Sequence, residues 1–459
     1  MSYRSHDSVV ESLEGRWPEH RVAPSLTRIA AIVDMLGHPE QTSPVVQITG
    51  TNGKGSTAII VDALLRAVGL RTGRFSSPHL EDITERICVD GHPISEALFD
   101  ETWTEIEPII EMVDREKLDG VSVTFFEAIT ALAYAVFADA PVDVAVMEVG
   151  MGGRWDATNV ADAAVAVVAP VGLDHMQYLG DTIGLIASEK AGIIKAESVA
   201  VVADQTPEAA EVIAERCLEV GAALVAEGRD FAVLDRQLAA GGQLLRLATP
   251  NGTIGDLFLP LHGEHMAHNA ALAVAAVEQL LGRAIDPDLI QRAFDNVVAP
   301  ARLELVSDQP PVVLDTAHNP AAVTATLAAV TEAFAFEPVI GVLGMMADKA
   351  VDQVLALLEP VVQTLVVTQV TTSPRALPVG ALAAMASEVF GDARVIQAGD
   401  AEDALNLAQR LASRAGERAG VLVLGSVYLA GEVRTIANRQ RMYETESFVD
   451  DDISDDMYD

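Results

Sequence analysis

The sequence predicts an α/β fold organised in at least two domains, on three observations. Short Val/Ala-rich runs alternate with helix-like segments, which is typical of parallel sheets covered by helices. Half of the residues are hydrophobic but only 5% are aromatic, as expected for strands buried on both faces. The chain, at 459 residues, is too long for one ordinary hydrophobic core.

The predicted strands of the first half begin with Val45–Ile48, which leads into a glycine-rich turn and an amphipathic helix. A short apolar run at 73–75 comes next. Further Val/Ala-rich runs, each ending in small or acidic residues, lie at 142–150, 163–172 and 198–204. These segments are expected to form parallel α/β layers.

The segment 221–260 has a different pattern. Its apolar and polar residues alternate around Gly241-Gly242 and Asn251-Gly252, which predicts antiparallel hairpins. A helix is predicted at 267–282, and the domain boundary near Ala299-Pro300, giving domains 1–299 and 300–441. The second α/β set has its strand-like runs at 311–320, 339–349, 364–370, 393–399 and 420–433.

Composition excludes several classes of protein. The formal charge of −37 argues against binding to nucleic acid or to anionic membranes, and no apolar run is long enough to span a bilayer. Two cysteines, Cys88 and Cys217, have no disulfide or zinc-site spacing and predict reduced thiols in a cytoplasmic protein. The tail 442–459 carries only acidic charges and is expected to be disordered.

The turn after the first strand, GTNGKGS from Gly50 to Ser56, predicts a site for the phosphates of a nucleotide. Glycines allow backbone N–H groups to face an anion, the helix dipole favours negative charge, and Lys54 adds a cation. The spacing departs from the strict Walker A pattern, because Gly55 separates Lys54 from Ser56. A tightly packed strand-to-helix turn is the alternative.

Polar residues that follow the strand-like runs are candidates for a metal site, because ligands collect beyond the carboxyl ends of parallel strands. A serine hydroxyl, a carboxylate and an imidazole, from Ser77, Glu148 and His175, suit Mg²⁺. Each also has a structural alternative: a turn hydroxyl, a surface or ion-pair carboxylate, and a loop or core histidine.

The motifs together resemble the folylpolyglutamate synthase/dihydrofolate synthase family of the Mur-ligase group. They occur in order between about residues 25 and 434: ITGTNGKGS, FSSPHL, TFFEAIT, EVGMGGRWDATN, GLDHMQYLG, EKAGIIK, HNAALA, ARLE, LDTAHNP, SPRALP and GSVYLAGEV. The resemblance implies a P-loop mononucleotide-binding domain followed by a smaller Rossmann-like α/β domain.

The reaction that the resemblance implies is an ATP-dependent amide ligation. ATP phosphorylates the carboxylate of dihydropteroate or of a reduced folate, and the amine of L-glutamate displaces phosphate from the acyl phosphate. Mg²⁺, as two ions, and a lysine stabilise the phosphoryl charge, and closure between domains excludes water. The resemblance also implies a monomer that acts on small molecules.

The resemblance assigns residues of both domains to the nucleotide and the metal. Lys54, Lys190 and His175 are implied as catalytic, and Ser77, Glu148 and His175 as metal ligands. Lys190 matches a lysine that the family carries as an N-carboxylysine; its alternative is an ordinary helix-surface lysine. The positions implied for ATP are Gly50, Thr51, Asn52, Gly53, Lys54, Gly55, Ser56, Asn269, Arg302, Asp315 and, with a less defined role, His318.

Structural alternatives stay open for three of these positions: a buried helix amide for Asn269, a linker ion pair for Arg302 and a strand-end cap for Asp315. The positions implied for the pterin acid are Thr27, Arg28, Thr124, Phe125, Phe126, Glu127, Trp155, Asp156 and Ala157. At least one of the two phenylalanines is an alternative core aromatic, and Trp155 replaces the leucine expected before Asp-Ala-Thr-Asn.

Other functions remain as alternatives. A Mur-type ligase for a cell-wall nucleotide precursor is disfavoured by SSPHL and EKAGIIK, and a non-catalytic nucleotide-binding protein is the second alternative. A dehydrogenase is excluded because GMGGR lacks the Gly-x-Gly-x-x-Gly spacing.

Overall fold

The structure is a computed structural model that describes residues 5–18 and 23–455, with side chains described as far as Arg441. The chain divides into two compact units. The first consists of Met1–Pro260 and Glu264–Val298, and the second of Leu261–Gly263 and Ala299–Asp459. In the part of the chain that is described, no helix is long and apolar enough to cross a membrane.

The first unit is built on an eight-stranded sheet with the order β4-β3-β2-β5-β1-β6-β7-β8. Pairing is parallel from β2 to β8, as the sequence predicts, whereas β3 and β4 add an antiparallel edge. The strands are β1 (Val45–Thr49), β2 (Thr72–Phe75), β3 (Ile87–Val89), β4 (His92–Pro93), β5 (Val144–Glu148), β6 (Val165–Val168), β7 (Val199–Val202) and β8 (Ala223–Ala226).

A separate antiparallel sheet in this unit confirms the predicted hairpins. It has the order β11-β10-β9, with turns at Ala240-Gly241 and Pro250-Asn251, each one residue before the position expected from the glycines. The expected hairpin region was too long, however, because β8 at its start joins the large sheet in parallel with β7. The strands are β9 (Ala232–Ala239), β10 (Gly242–Thr249) and β11 (Gly252–Leu259).

The helices of the first unit begin and end at residues suited to those positions. Thr124 and Glu127 form a reciprocal capping box at the start of one helix, and Gly221 ends another in the left-handed conformation. The helices are α1 (His6–Glu14), α2 (Thr27–Met35), α3 (Lys54–Ala67), α4 (Glu96–Glu116), α5 (Phe125–Asp139), α6 (Met176–Leu179), α7 (Ile183–Lys190), α8 (Pro207–Val220), α9 (Glu264–Leu281) and α10 (Pro287–Asp295).

The second unit has a six-stranded sheet with the order β12-β13-β17-β14-β15-β16, parallel except for the edge strand β12. Its strands are β12 (Arg302–Asp308), β13 (Pro311–Asp315), β14 (Val339–Leu343), β15 (Val362–Val367), β16 (Val395–Gln397) and β17 (Gly420–Leu424). Its helices are α11 (Pro320–Ala329), α12 (Val351–Leu358), α13 (Val379–Phe390), α14 (Ala401–Ala415) and α15 (Val427–Asp455).

The backbone of the acidic tail differs from the disorder expected from its composition. Helix α15 continues to Asp455, since a helix already formed by the preceding turns extends at low entropic cost. The side chains of 442–455 and all of 456–459 lie outside the described residues, so disorder at the end of the tail stays a prediction.

Candidate active site

The candidate site of the first unit lies at the carboxyl edge of its large sheet. Strands β2, β5, β1 and β6 are consecutive neighbours and all parallel, so their carboxyl ends meet at the same edge. Ser77 follows β2, and Glu148 is the last residue of β5. Gly50 follows β1, and His175 lies in the segment after β6. Residues spread over more than a hundred positions are therefore aligned along one edge.

The glycine-rich turn lies between β1 and α3 and is fixed to the segment after β6. Thr51 N donates to Pro170 O at 2.9 Å. The Thr51 hydroxyl donates to Gly172 O at 3.0 Å and accepts a hydrogen bond from Gly172 N at 2.9 Å. These bonds set the segment that carries His175 beside the turn.

Helix α9 packs against the same turn through Asn269. Gly53 has φ +87°, and a Cβ atom built there would lie 2.6 Å from Asn269 Oδ1. The amide of Asn269, which is 4% exposed, therefore contacts the turn at a position that only glycine permits. Buried Ser56 and Thr57 follow Lys54 in the first turn of α3. These placements bring the first-unit residues assigned to the nucleotide together.

Two lysines meet at this turn. Lys54 Nζ donates to Gly50 O at 3.0 Å and to Thr51 O at 3.3 Å. Lys190 Nζ, at the last residue of α7, donates to the same Gly50 oxygen at 2.8 Å. Lys190 is 4% exposed, so it is not the ordinary surface lysine that sequence alone leaves open.

The surroundings of Lys190 favour its neutral form. Burial first, and then the charge of Lys54, hold the pKa of the Lys190 ammonium well below its usual range. The carboxylates of Asp174, Asp156 and Glu189 act in the opposite direction without restoring the ordinary pKa. A neutral amine is the form of lysine that reacts as a nucleophile.

The residues expected to bind Mg²⁺ end or follow neighbouring strands of the large sheet. Glu148 is 5% exposed and pairs in register with Ile48 of the P-loop strand. His175 adopts a left-handed backbone, its N–H donates to Asp174 Oδ1 at 2.9 Å, and its Nε2 lies 3.9 Å from Asp174 Oδ2. Carboxylate, hydroxyl and imidazole ligands at one sheet edge fit a divalent cation.

A second group of possible metal ligands lies elsewhere in the first unit. Among the described residues, one group of His, Cys, Asp and Glu side chains has ligand atoms within 4.8 Å of one another, namely His6, Asp82 and Glu96. It contains none of the expected Mg²⁺ ligands, and Asp82 and Glu96 are exposed.

Arg28 and Glu127, two residues assigned to the pterin acid, form a buried ion pair. Arg28 Nε donates to Glu127 Oε2 at 3.0 Å, and Arg28 Nη2 donates to Ala23 O at 2.8 Å. Glu127 Oε2 also accepts a hydrogen bond from Thr124 N at 2.8 Å. Thr124 and Glu127 therefore cap α5, and Arg28 pairs with this cap. Thr27, by contrast, is exposed at the start of α2.

The two phenylalanines at the start of α5 have different environments. Phe125 is 6% exposed and belongs to the core, with the Arg86 guanidinium 5.0 Å from the centre of its ring. Phe126 is half-buried, lies 5.8 Å from the ring of Phe75, and would be 2.6 Å from a Cβ atom at Gly150. Phe125 is thus the core aromatic of the pair, and Phe126 borders the loop that follows β5.

The loop after β5 contains Trp155, Asp156 and Ala157. Trp155 is half-buried and its N–H donates to Glu189 Oε1 at 3.4 Å. Asp156 is 3% exposed, and its carboxylate accepts from Met151 N at 3.0 Å and from the Thr158 hydroxyl at 2.6 Å. Burial raises the pKa of Asp156 from 3.8 to about 6 despite these hydrogen bonds. Ala157 is buried.

The positions assigned to ATP in the second unit lie at the β12–β13 edge. Arg302 pairs in register with Asp315 and donates through Nη1 to the Thr316 hydroxyl. Asp315 accepts from Leu303 N at 3.0 Å, Ala317 N at 2.8 Å and Thr326 Oγ1 at 3.0 Å, as a strand-end cap does. His318 Nδ1 lies 2.9 Å from Thr316 O. Their nucleotide contacts stay predictions.

Sequence reasoning did not single out Thr49 and Asn159, which hold the loop after β5. The buried Thr49 hydroxyl donates to Gly152 O at 2.7 Å. Asn159 Nδ2 donates to Arg154 O at 3.1 Å and to Gly192 O at 3.3 Å. Two features of the sequence could have pointed to them: Thr49 is the last residue of the strand before the P-loop, and Asn159 is the last residue of the motif DATN.

Comparison with family models matches both units of the chain. Residues 94–277 match the Mur ligase middle domain, and residues 301–427 match the Mur ligase, glutamate ligase domain. Dihydrofolate synthase/folylpolyglutamate synthase of Mycobacterium tuberculosis is 47% identical over 93% of each chain. The enzyme of the same name from Escherichia coli is 33% identical, over 91% of this chain and 92% of its own.

Solved structures give the same result. Mycobacterium tuberculosis folylpolyglutamate synthase complexed with ADP superposes with a TM-score of 0.91 at 46% identity, covering 94% of this chain and 98% of that chain. E. coli FolC in complex with DHPP and ADP has a TM-score of 0.83 at 31% identity, covering 95% and 99%.

Proposed function

The chain belongs to the dihydrofolate synthase/folylpolyglutamate synthase family of Mur ligases, and on that premise we propose that it joins L-glutamate to dihydropteroate and to the γ-carboxyl of reduced folates. It is an ATP-dependent amide ligase. The observation that carries the assignment of the site is the alignment of Ser77, Glu148, the P-loop and His175 along four adjacent strand ends.

The proposed reaction has two steps. A carboxylate oxygen of the acid attacks the γ-phosphorus of ATP, the bond to the β–γ bridging oxygen breaks, and ADP leaves. The neutral amine of glutamate then attacks the acyl carbon, loses a proton and displaces inorganic phosphate. The first step converts a poor electrophile into one with a good leaving group.

The P-loop supplies the charge that phosphoryl transfer requires. The N-terminus of α3 would face the phosphates, and Lys54 would move its ammonium to them from the carbonyls of Gly50 and Thr51. The N–H groups of Thr51 and Asn52 donate to Pro170 O instead and hold the turn in place. Asn269 orders the turn from the side of α9. Preorganised donors of this kind contribute most where charge develops.

The residues present fit Mg²⁺. Glu148, His175 and Ser77 would hold it, with phosphate oxygens and water as further ligands, and two ions are part of the proposal. When bound, Mg²⁺ neutralises charge on the phosphate oxygens. The pairing of Glu148 with Ile48 sets it beside the P-loop strand, where a divalent charge and phosphate would be brought together.

Lys190 is proposed to be an N-carboxylysine. Its neutral amine attacks the carbon of carbon dioxide, a C–N bond forms, an electron pair moves to oxygen and a proton leaves the nitrogen. The product replaces a second cation beside Lys54 with an anion, which removes the repulsion between them and adds an oxygen ligand near the metal. The lowered pKa of Lys190 and its bond to Gly50 O support this step.

The remaining assignments complete the proposal. The pterin acid is assigned to the surface formed by α2, the start of α5 and the loop around Trp155, where Thr27 is exposed and Phe126 and Trp155 are half-buried. Arg302, Asp315 and His318 are assigned to the nucleotide. We also propose a cytoplasmic monomer, which sedimentation velocity would test for oligomeric state.

The test measures ADP release by the purified enzyme with ATP, Mg²⁺ and glutamate. Dihydropteroate and tetrahydrofolate are offered separately, and the products are identified by mass. Glutamate-dependent ADP release with a product heavier by one glutamyl residue is expected for each acid. Omission of glutamate is the control. ADP release that is indifferent to both acids would contradict the proposal.

A further inference from the structure

Two backbone segments at Lys190, the loop 150–156 and the end of α7 with the turn that follows it, pack directly against each other. Arg154 N donates to Glu189 O at 2.9 Å. A Cβ atom at Gly153 would lie 2.7 Å from Lys190 O, and one at Gly192 would lie 2.5 Å from Arg154 Cα. The loop 150–156 and the turn after α7 (Ala191–Ile193) therefore approach too closely for side chains at the two glycines.

One side chain bonds to both segments. Asn159, which is 3% exposed, donates through Nδ2 to Arg154 O in the loop and to Gly192 O in the turn. A primary amide has two N–H donors, and both are used here. Its Oδ1 accepts no hydrogen bond from any residue for which the structure describes a side chain or backbone. The two carbonyl acceptors fix the orientation of the amide, because the reverse orientation would set oxygen against oxygen.

Asn159 is also held firmly at its own backbone. Its N–H donates to Asp156 O at 2.8 Å, and its carbonyl accepts from Lys195 Nζ at 2.8 Å. The side-chain amide therefore extends from a backbone that is itself hydrogen-bonded, and it links loop 150–156 to the turn after α7. Lys190 lies directly before the turn that Asn159 contacts, and its Nζ donates to Gly50 O at 2.8 Å.

We propose that Asn159 is a positioning residue whose side-chain amide, by joining loop 150–156 to the turn after α7, holds Lys190 in register with the P-loop. This inference rests on the proposed role of Lys190 in ligation. Asn159 itself contacts neither nucleotide nor acid. Its loss changes the geometry of the reacting groups and leaves the phosphate-binding turn intact.

The matched pair of variants is Asn159→Asp and Tyr134→Phe. Asn159→Asp keeps the shape of the side chain but replaces both donors with an oxygen that faces two carbonyls. Tyr134→Phe removes a buried hydrogen bond to the neighbouring residue, since the Tyr134 hydroxyl donates to Thr158 O at 2.9 Å. Both variants leave buried carbonyl groups without a hydrogen bond. Only Asn159→Asp removes the side-chain hydrogen bonds that join loop 150–156 to the turn after α7.

The experiment measures kcat and the KM for ATP, together with the melting temperature. We expect Asn159→Asp to lower kcat by about 10²-fold, the effect of roughly 1 Å of misplacement, with KM for ATP changed less than about threefold. Tyr134→Phe should lower the melting temperature while kcat changes less than about threefold. If Asn159→Asp does not fold, Asn159→Ala, which adds no charge, is judged by the same criteria.

A spectroscopic measurement accompanies the kinetics. With ¹³C-bicarbonate, the wild type should give an NMR signal from the carbamate of Lys190. Asn159→Asp should need about tenfold more bicarbonate than the wild type to give the same signal, and Tyr134→Phe should need the same concentration as the wild type. A wild type with no carbamate signal overturns carboxylation, and the kinetic split alone then decides the role of Asn159.

Three kinetic results would overturn the inference: equal losses of kcat in the two variants, a rise in KM for ATP alone, or full activity of Asn159→Asp. A wild-type enzyme without glutamate-dependent ADP release is a separate result, because it overturns the proposed function itself.

Discussion

Lys54 and Lys190 donate to one and the same carbonyl oxygen, that of Gly50, at 3.0 and 2.8 Å. Two ammonium groups at one acceptor repel each other, and Lys190 is the more buried of the two. Burial and the charge of Lys54 accordingly lower the pKa of Lys190. Lys54 thus belongs to the P-loop itself, whereas Lys190 reaches the loop from the end of α7 and is driven towards the neutral amine.

The first prediction concerns Lys190. Lys190→Arg should be nearly inactive, because guanidinium keeps its charge and cannot be carboxylated. Lys190→Ala should be inactive but partly rescued by formate, acetate or bicarbonate, which can occupy the space of the carbamate. Initial rates with and without these anions are the measurement. Lys117→Arg, at an exposed lysine that follows α4, is the control. A fully active Lys190→Arg enzyme would refute the carbamate.

The second prediction is that Lys54→Ala folds normally and loses turnover. Its hydrogen bonds to Gly50 O and Thr51 O are local, so the melting temperature should change little. Loss of one charged contact to the transferring phosphoryl group should raise the barrier by about 3 kcal/mol, or roughly 10²-fold in kcat. Near-normal kcat in this variant would remove Lys54 from the mechanism.

The third prediction concerns Mg²⁺. Glu148→Gln and His175→Ala should each raise the Mg²⁺ concentration that gives half-maximal activity, since each removes a ligand from the same sheet edge. Activity is titrated with Mg²⁺ at saturating ATP. His92→Ala, at an exposed position on the short edge strand β4, should leave the titration unchanged. If neither site variant shifts the curve, the metal is bound elsewhere.

The fourth prediction concerns the pH dependence of stability through Asp156. Its folded-state pKa of about 6 lies above the ordinary 3.8, so the folded protein holds this proton more tightly than the unfolded chain does. The stabilising contribution is complete below about pH 4 and is lost as pH rises through about 6, which amounts to about 3 kcal/mol.

Asp156→Asn removes this titration. The free energy of unfolding of the wild type minus that of Asp156→Asn should therefore fall by about 3 kcal/mol between about pH 4 and pH 7, because other titrations cancel in the difference. Urea unfolding of the ligand-free proteins at several pH values measures it. A difference independent of pH would show that Asp156 has an ordinary pKa.

The fifth prediction separates two roles of Arg28. Its bond to Glu127 lies in the interior, with side chains 1% and 5% exposed. Arg28→Ala leaves the Glu127 charge buried and unpaired, which should lower the free energy of unfolding by about 3–5 kcal/mol. The double variant Arg28→Met/Glu127→Gln should recover part of this loss. Unchanged stability with a raised KM for the acid would instead make Arg28 a substrate contact.

Local sequence patterns predicted much of the fold. The unit of β1, turn and α3 was readable because its glycines, lysine and amphipathic helix are contiguous. The hairpins around Gly241-Gly242 and Asn251-Gly252 were readable because turn chemistry is local. The antiparallel edge strands β3, β4 and β12 were not predicted, since strands of two or three residues carry no periodicity and β12 is defined only by its pairing with β13.

The sequence by itself determined the α/β class, the phosphate turn and the residue types available for ligation chemistry. Only the tertiary structure decided their partners: Lys190 reaches a carbonyl 140 positions earlier in the chain, Arg28 is buried against Glu127, and Asn159 joins two separate segments. The physical reason is that periodicity and turn chemistry depend on neighbours in sequence. Hydrogen-bond partners, burial and the resulting pKa shifts depend on strand order and packing between distant residues.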